Sequence, residues 1–333
     1  MEAPKGTLPP GDTRVWLPLK GIYGPKQAGY LFHQLVHSVL TGTGAVRSDA
    51  DVCFYTLWRG HKFVKVLCYV DDFAITSNDA ELYEELWGKM QAALDIKDMG
   101  KLRLFLGILV SYDDDGTVCI DQQHYILQVL KRLGLASTPG AGPQSPMLTG
   151  TAAKLQPDDS AAAGPDVPYK EAVGALFWLA RGTRPDVAYA VSQAARFLDK
   201  PTCNHWRAVL RVLGYLNRTQ SLKLRMGPVG VANRLTLRAY ADSDWAGDAE
   251  TRKSRTGWLL ALGGACVAWR STLQTGYSQS STEAEYVALA DAAKEVLWWR
   301  KLFRDMRWPC DPSTPILVDN LGARQLAKGA GAR

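Results

Sequence analysis

The chain has no C-x-x-C pair among its six cysteines and no H-E-x-x-H motif among its five histidines, in 333 residues. A zinc ribbon, a thiol redox pair and a zinc-protease helix are therefore excluded, and any metal must be held by carboxylates. Cys53, Cys68, Cys119, Cys203, Cys266 and Cys310 stand alone, most of them inside apolar runs, which predicts buried thiols in a reducing compartment. No stretch approaches the roughly 20 apolar residues of a membrane helix, and the opening MEAPKGTLPPGD lacks the apolar centre of a signal peptide. The expectation is a soluble intracellular protein, cytoplasmic or nuclear, with no membrane partner. Neither sign of charge dominates: 39 Lys and Arg against 33 Asp and Glu leave +6, compatible with nucleic acid but not diagnostic of it. With 47% hydrophobic and 22% charged residues the chain carries enough apolar surface for folded cores, and its length suggests two domains.

Periodicity divides the chain. Tyr30 to Leu40 repeats apolar residues at helical spacing; Val52 to Leu57, Phe63 to Val70 and Phe73 to Thr76 are strand-like runs broken by Arg59-Gly60-His61 and by Asp71-Asp72. Asn78 is placed to cap a helix reaching Leu94, and Leu104 to Tyr112 with Gly116 to Ile120 form a hairpin about Asp115-Gly116. Ser137 to Pro168 is rich in Pro, Gly and Ala and predicts a surface linker. Three amphipathic helices follow, at Tyr169 to Arg181, Pro185 to Leu198 and His205 to Asn217. From Arg234 the pattern turns to a three-strand meander, a long helix capped by Ser281-Thr282, a short strand at Ile316 to Val318 and a last helix. The fold class is α+β. The domain expectation is 1–136, a linker at 137–168, a helical connection at 169–228 and a sheet-and-helix block at 229–333.

Two groups of acids could carry chemistry. Tyr69-Val70-Asp71-Asp72 lies between two strands, so a hairpin would present two carboxylates at its tip, suited to a hard divalent cation. Asp is also a favoured turn residue, and the matching Tyr112-Asp113-Asp114-Asp115 is accounted for as a hydrated hairpin loop, so on residues alone both readings stand. In the last block, Asp242 follows the first strand, Glu285 lies one turn into the long helix and Asp319 ends the fourth strand. With strands one and four adjacent, the three would converge, and converging carboxylates repel unless cations neutralise them. Turn acids and a helix-terminal Glu are the competing explanation.

Leu19-Lys20-Gly21-Ile22-Tyr23-Gly24-Pro25-Lys26-Gln27-Ala28, then Tyr69-Val70-Asp71-Asp72, then Leu106-Gly107-Ile108, resemble in order and spacing the reverse transcriptase of copia-type LTR retrotransposon Pol polyproteins. Thr183-Arg184-Pro185-Asp186-Val187-Ala188-Tyr189, Asp242-Ser243-Asp244-Trp245-Ala246-Gly247-Asp248 and Ser280-Ser281-Thr282-Glu283-Ala284-Glu285-Tyr286 resemble that family's connection and RNase H segments. The resemblance covers nearly the whole chain.

It implies a partial reverse-transcriptase palm, a helical connection and an RNase H-like mixed sheet with helices. Asp71, with Asp72 in support, would help hold Mg²⁺ or Mn²⁺ against a primer end and a dNTP, and Tyr69 would flank them. Lys20, Lys26 and Gln27 would contact nucleotide or template. Asp242, Glu285 (rather than Glu283) and Asp319 would bind the metal that activates water against the RNA of an RNA–DNA hybrid. The implied partners are an RNA template, a DNA primer, the hybrid and dNTPs. Arg181, Arg184, Arg207, Arg211 and Arg218 could line a phosphate track, whereas Trp298, Trp299 and Trp308 are better explained as packing. The family also carries a catalytic Asp on an earlier palm strand and a closing His and acidic motif after the last helix, and shows Leu and Pro where Pro25 and Gly29 stand. The expectation is thus a segment truncated at both ends and incomplete as a stand-alone enzyme, the alternative being a non-catalytic nucleic-acid-binding remnant.

Overall fold

A computed structural model describes residues 26–135, 138, 140–148, 155, 167–227, 236–248 and 250–329, and the chain divides into two compact units between Lys101 and Leu102. In the first, α1 (Ala28–Gly42) precedes β1 (Val46–Arg47), β2 (Phe54–Arg59), β3 (Lys62–Tyr69) and β4 (Asp72–Ser77), an antiparallel sheet in that order, followed by α2 (Ala80–Ala93). Strand alternation puts Tyr55, Leu57, Val64, Val66 and Cys68 on one face, where Val36 and Leu40 of α1 and Leu82, Leu86 and Met90 of α2 cover them. Asp79, not Asn78, caps α2, its Oδ1 accepting from Leu82 N at 2.9 Å. Asn78 is occupied one turn away, where its Oδ1 accepts from Phe63 N and its Nδ2 donates to the His61 carbonyl, bracing the β2–β3 turn at Gly60.

In the second unit, β5 (Leu104–Phe105), β6 (Ile108–Tyr112) and β7 (Val118–Asp121) lead into α3 (Gln123–Arg132). The expected single strand across Leu104 to Tyr112 is broken because Leu106 and Gly107 both take positive φ and reverse the chain. The Asp113-to-Gly116 loop is the tight turn expected: Asp113 N donates to Thr117 O, and Gly116 has φ +84°. Helices α4 (Tyr169–Gly182), α5 (Ala188–Ala194), flanked by short 3₁₀ turns, and α6 (Cys203–Arg218) follow, then β8 (Leu224–Met226), which pairs with β7 to give the sheet order β5-β6-β7-β8. Helix α3, whose buried Ile126, Val129 and Leu130 stand at helical spacing, and the three-residue strand β8 are not among the expected elements. Of the expected linker, residues 140–148 show no helix or strand and most of the remainder lies outside the described residues.

The last block is β9 (Leu237–Asp244), β10 (Arg255–Leu262), β11 (Ala265–Leu273), α7 (Ser281–Asp305), β12 (Ile316–Leu317) and α8 (Leu321–Gly329). The sheet order is β11-β10-β9-β12, antiparallel except for the parallel β9–β12 pair. Ala292, Val296 and Phe303 of α7 cover Leu237, Ala239, Ala241, Trp258 and Leu260. The whole is α+β. Among the described residues no helix is long and apolar enough to cross a membrane. The cysteines are free, Cys68 and Cys119 buried, but Cys203 and Cys310 are exposed, contrary to the expectation of buried thiols, because one begins α6 and the other sits in the loop before β12.

Arg184 is 2% exposed and so cannot join a phosphate track. Its guanidinium forks onto Asp186 (2.7 Å) and donates to the Thr219 carbonyl and hydroxyl, while Tyr215 OH donates to the same carboxylate at 2.8 Å. Burial pushes the Asp186 carboxyl up, but Arg184 and Tyr215 outweigh it and hold the group below its ordinary value. A depressed carboxyl stabilises the fold above its ordinary pKa of about 4 and loses that contribution as pH falls through its lowered folded value. Asp186→Asn is expected to lower the urea midpoint at pH 7 and to flatten the acid limb of a stability–pH curve; Arg184→Ala, which removes a buried donor from the partly exposed Asp186 carboxylate and from the Thr219 carbonyl and hydroxyl, should cost about 1–2 kcal/mol. An unchanged acid limb in Asp186→Asn would refute the assignment.

Candidate metal centre

Asp242, Glu285 and Asp319 meet. One carboxylate oxygen of each lies within 4.8 Å of the others. Three local choices bring this about. The β9–β12 pairing, Ile316 beside Ala239 and Leu317 beside Tyr240, runs both strands in one direction, so that Asp242 and Asp319 emerge at the same end. Helix α7 enters there, capped by Ser280, whose Oγ accepts from Glu283 N at 3.1 Å; the cap lies one residue before the expected pair. Glu283 Oε2 accepts from Gln279 N at 2.7 Å, which commits that acid to the helix end and leaves Glu285, two residues on, facing the strands.

Glu285 is 6% exposed, and its Oε1 accepts from Ser243 N at 3.1 Å while Oε2 has no hydrogen-bond partner. Burial raises its pKa above the ordinary carboxylate value; the Ser243 hydrogen bond opposes the rise, and the charges of Asp242 and Asp319 add to it. An orphaned, buried carboxylate oxygen on a residue grouped with two further carboxylates fits a hard divalent cation, whose preferred donors are oxygens of this kind. Gly322 makes the approach possible. A Cβ there would lie 2.8 Å from Thr282 Oγ1 and 2.9 Å from its methyl, so α8 starts flush against α7, with Asn320 Oδ1 accepting from Ala323 N. Ser243 and Gly322 were not singled out from the sequence: one acts through its backbone and the other through the absence of a side chain, and neither leaves a pattern.

The other site residues lie elsewhere. Tyr69 ends β3 opposite Asp72, the first residue of β4, and the turn between them carries Val70 at φ +55° and Asp71; all four are exposed. Among the described residues no third acid is grouped with Asp71 and Asp72. Lys26 and Gln27 form the exposed turn before α1, and Lys20 lies outside the described residues. His33 and His37 stand four apart on α1, at metal-ligand spacing passed over in the sequence, but His37 Nδ1 is engaged by Tyr55 OH at 3.1 Å and no third ligand joins them among the described residues. Trp299 packs on the α7 core against Phe303, as expected of a structural aromatic.

The reverse transcriptase (RNA-dependent DNA polymerase) family matches residues 1–148. Retrovirus-related Pol polyproteins are similar over 92% of the chain: 35% identity to that of transposon RE2 from Arabidopsis thaliana and 33% to that of transposon TNT 1-94 from Nicotiana tabacum. The chain belongs to the copia-type retrotransposon Pol family. It spans 20% of the RE2 polyprotein and 23% of the TNT 1-94 polyprotein. An uncharacterized mitochondrial protein of Arabidopsis thaliana is 34% identical over 70% of this chain and 93% of its own length. No solved structure matches. This Pol segment is thus reverse-transcriptase-like, and its acidic trio lies well beyond the matched residues 1–148.

Like charges held this close destabilise the metal-free fold. In EDTA, Asp242→Asn is expected to raise the melting temperature, because it removes repulsion without removing a hydrogen bond to the buried Glu285. A lower melting temperature in calorimetry would show that the acids do not repel as placed.

Proposed function

We propose that this Pol segment contributes to RNA-directed DNA synthesis and to degradation of the RNA–DNA hybrid, and that its own chemistry resides in Asp242, Glu285 and Asp319. The observation that carries the reading is the convergence of Asp242, Glu285 and Asp319 to within 4.8 Å about a buried Glu285 whose Oε2 has no hydrogen-bond partner. Residues 229–333 would form the RNase H-like part, residues 169–228 the helical connection, and residues 1–136 part of a palm, with 137–168 as linker. Asp242, Glu285 and Asp319 would hold Mg²⁺ or Mn²⁺, which when bound supplies charge neutralisation and Lewis-acid polarisation at a phosphodiester. The chain's own residues do the rest: Ser243 N–H fixes one oxygen of Glu285 and leaves the other without a protein donor, and the exposed aspartates leave the site open to a backbone phosphate. The reaction class is hydrolysis, in which water adds to phosphorus as a P–O ester bond of the RNA breaks.

Asp71 and Asp72, with Tyr69, Lys20, Lys26 and Gln27, would serve the polymerase reaction with primer, template and dNTP. Two exposed acids on one hairpin make a weaker cation site than three that include a buried one, which favours hydrolysis over nucleotide addition in this chain. The same contrast favours a non-catalytic, nucleic-acid-binding role for residues 26–101.

With a labelled RNA–DNA hybrid and Mg²⁺, the chain is expected to cut the RNA strand, and Asp319→Asn to reduce the rate by at least about a hundredfold, the scale on which loss of a charged active-site group acts. Mn²⁺ should raise the melting temperature of the native chain and not that of Asp242→Asn. Cleavage that persists in Asp319→Asn would come from a contaminant and would sink the reading.

A further inference from the structure

We propose that Gln274 is a positioning residue for Glu285; the proposal deepens the reading of the acidic trio as a metal centre and rests on it. Gln274 follows β11 directly and is 6% exposed. Each end of its amide is used. Nε2 donates to Thr256 Oγ1 on β10 at 3.1 Å and to the Ala284 carbonyl on α7 at 3.0 Å, while Oε1 accepts from Ser278 Oγ at 2.9 Å; its backbone N–H donates to Ser254 O at 2.8 Å.

Two of the three groups on its side chain lie one step from the trio's buried member. Ala284 is the residue before Glu285. Thr256 is the register partner of Ser243, whose N–H holds Glu285 Oε1, and Gly257 is the partner of Asp242. Ser278 also accepts, at its carbonyl, from Trp245 Nε1 at 3.1 Å, which ties the end of β9 to the entry of α7. A single amide thus links β10, the hydrogen-bonded neighbour of the strand that carries Asp242, to the helix turn that carries Glu285. It touches neither acid and sits where no substrate would reach.

A neutral amide is the side chain this place requires. Two donations and one acceptance at the end of a two-methylene stem exclude Glu, which has no N–H, and Met, which has neither function. Leaving the Ala284 carbonyl and Thr256 hydroxyl without that donor frees the first turn of α7 to shift against β9. The distance between Glu285 and the Ser243 amide is what such a shift changes first.

The test uses the full chain and reads amide hydrogen exchange together with cleavage. In Gln274→Met and Gln274→Glu, the Ser243 amide is expected to exchange about tenfold faster than in the native chain, the equivalent of about 1.4 kcal/mol, while amides of α6 keep native protection. Mn²⁺-supported hybrid cleavage should fall through kcat with KM for the hybrid unchanged. Ser278→Ala, which removes only the acceptance, provides a milder variant that keeps both donations and should give a smaller change of the same sign. Ser243 protection equal to native in folded variants would overturn the proposal. Protection lost equally across the second unit would also overturn it, by making Gln274 general support. A native chain that neither binds Mn²⁺ nor cleaves would instead reject the functional reading, and the Ser243 exchange would still decide whether Gln274 places Glu285.

Discussion

Mutual repulsion of three carboxylates is the constraint around which the second unit is arranged. Asp242, Glu285 and Asp319 can be held within 4.8 Å only if the elements that carry them gain more from packing than the charges lose. The gain is visible in Ala239 and Ala241 against Ala292, with Ala288 one turn earlier on α7 also fully buried, small residues that let α7 lie close on β9. Gly322 continues the same logic at the entry of α8. A larger side chain at any of these positions would relieve the repulsion and disperse the acids.

Buried charge elsewhere is met by partners of more than one kind. Asp248, in the loop after β9, meets Arg196 from the end of the helical module at 2.5 Å and accepts from Thr251 N and Oγ1. Arg255 on β10 lies over Tyr189 and donates to Ser192 Oγ of α5 at 2.6 Å, and Trp269 on β11 donates to the Ala180 carbonyl of α4. These contacts join helices and sheet through polar groups that must each find a partner, because an unpaired buried charge costs more than the pair contributes. The geometry around the acids therefore depends on residues far from them in sequence.

Local elements were legible because their signal is local. The periodicity of Tyr30 to Leu40, the strands about Asp71-Asp72, the Asp115-Gly116 hairpin and the three helices of the connection all appear near their expected places. The order Asp242, Glu285, Asp319 could be read because each acid lies close to the end of a strand or the start of a helix. Asp242 falls inside β9 rather than after it, since β9 keeps pairing with β10 as far as Asp244. Caps were misjudged by one residue at Asn78 and at Ser281, where neighbouring residues of equal capping propensity compete and tertiary hydrogen bonds decide. Arg184 looked like surface charge because one-letter patterns do not distinguish a solvated arginine from one buried against Asp186 and Thr219. Ser243, Gln274 and Gly322 were invisible for a different reason: their contribution lies in a backbone N–H, a buried amide and a missing Cβ.

Strand β8 closes its sheet against β7 only after α3 to α6 have intervened; Lys223 and Ser111, whose side chains meet across that sheet, are 112 residues apart. During synthesis, β7 must therefore wait with an unpaired edge while the ribosome makes the helices, and the pairing adds a long closure to the folding of the second unit. A nascent chain interrupted before Leu224 would carry that edge open to any extended segment nearby. For a polypeptide read as one stretch of a longer product, the moment of vulnerability is set by translation, and it ends when three residues, Leu-Arg-Met, arrive.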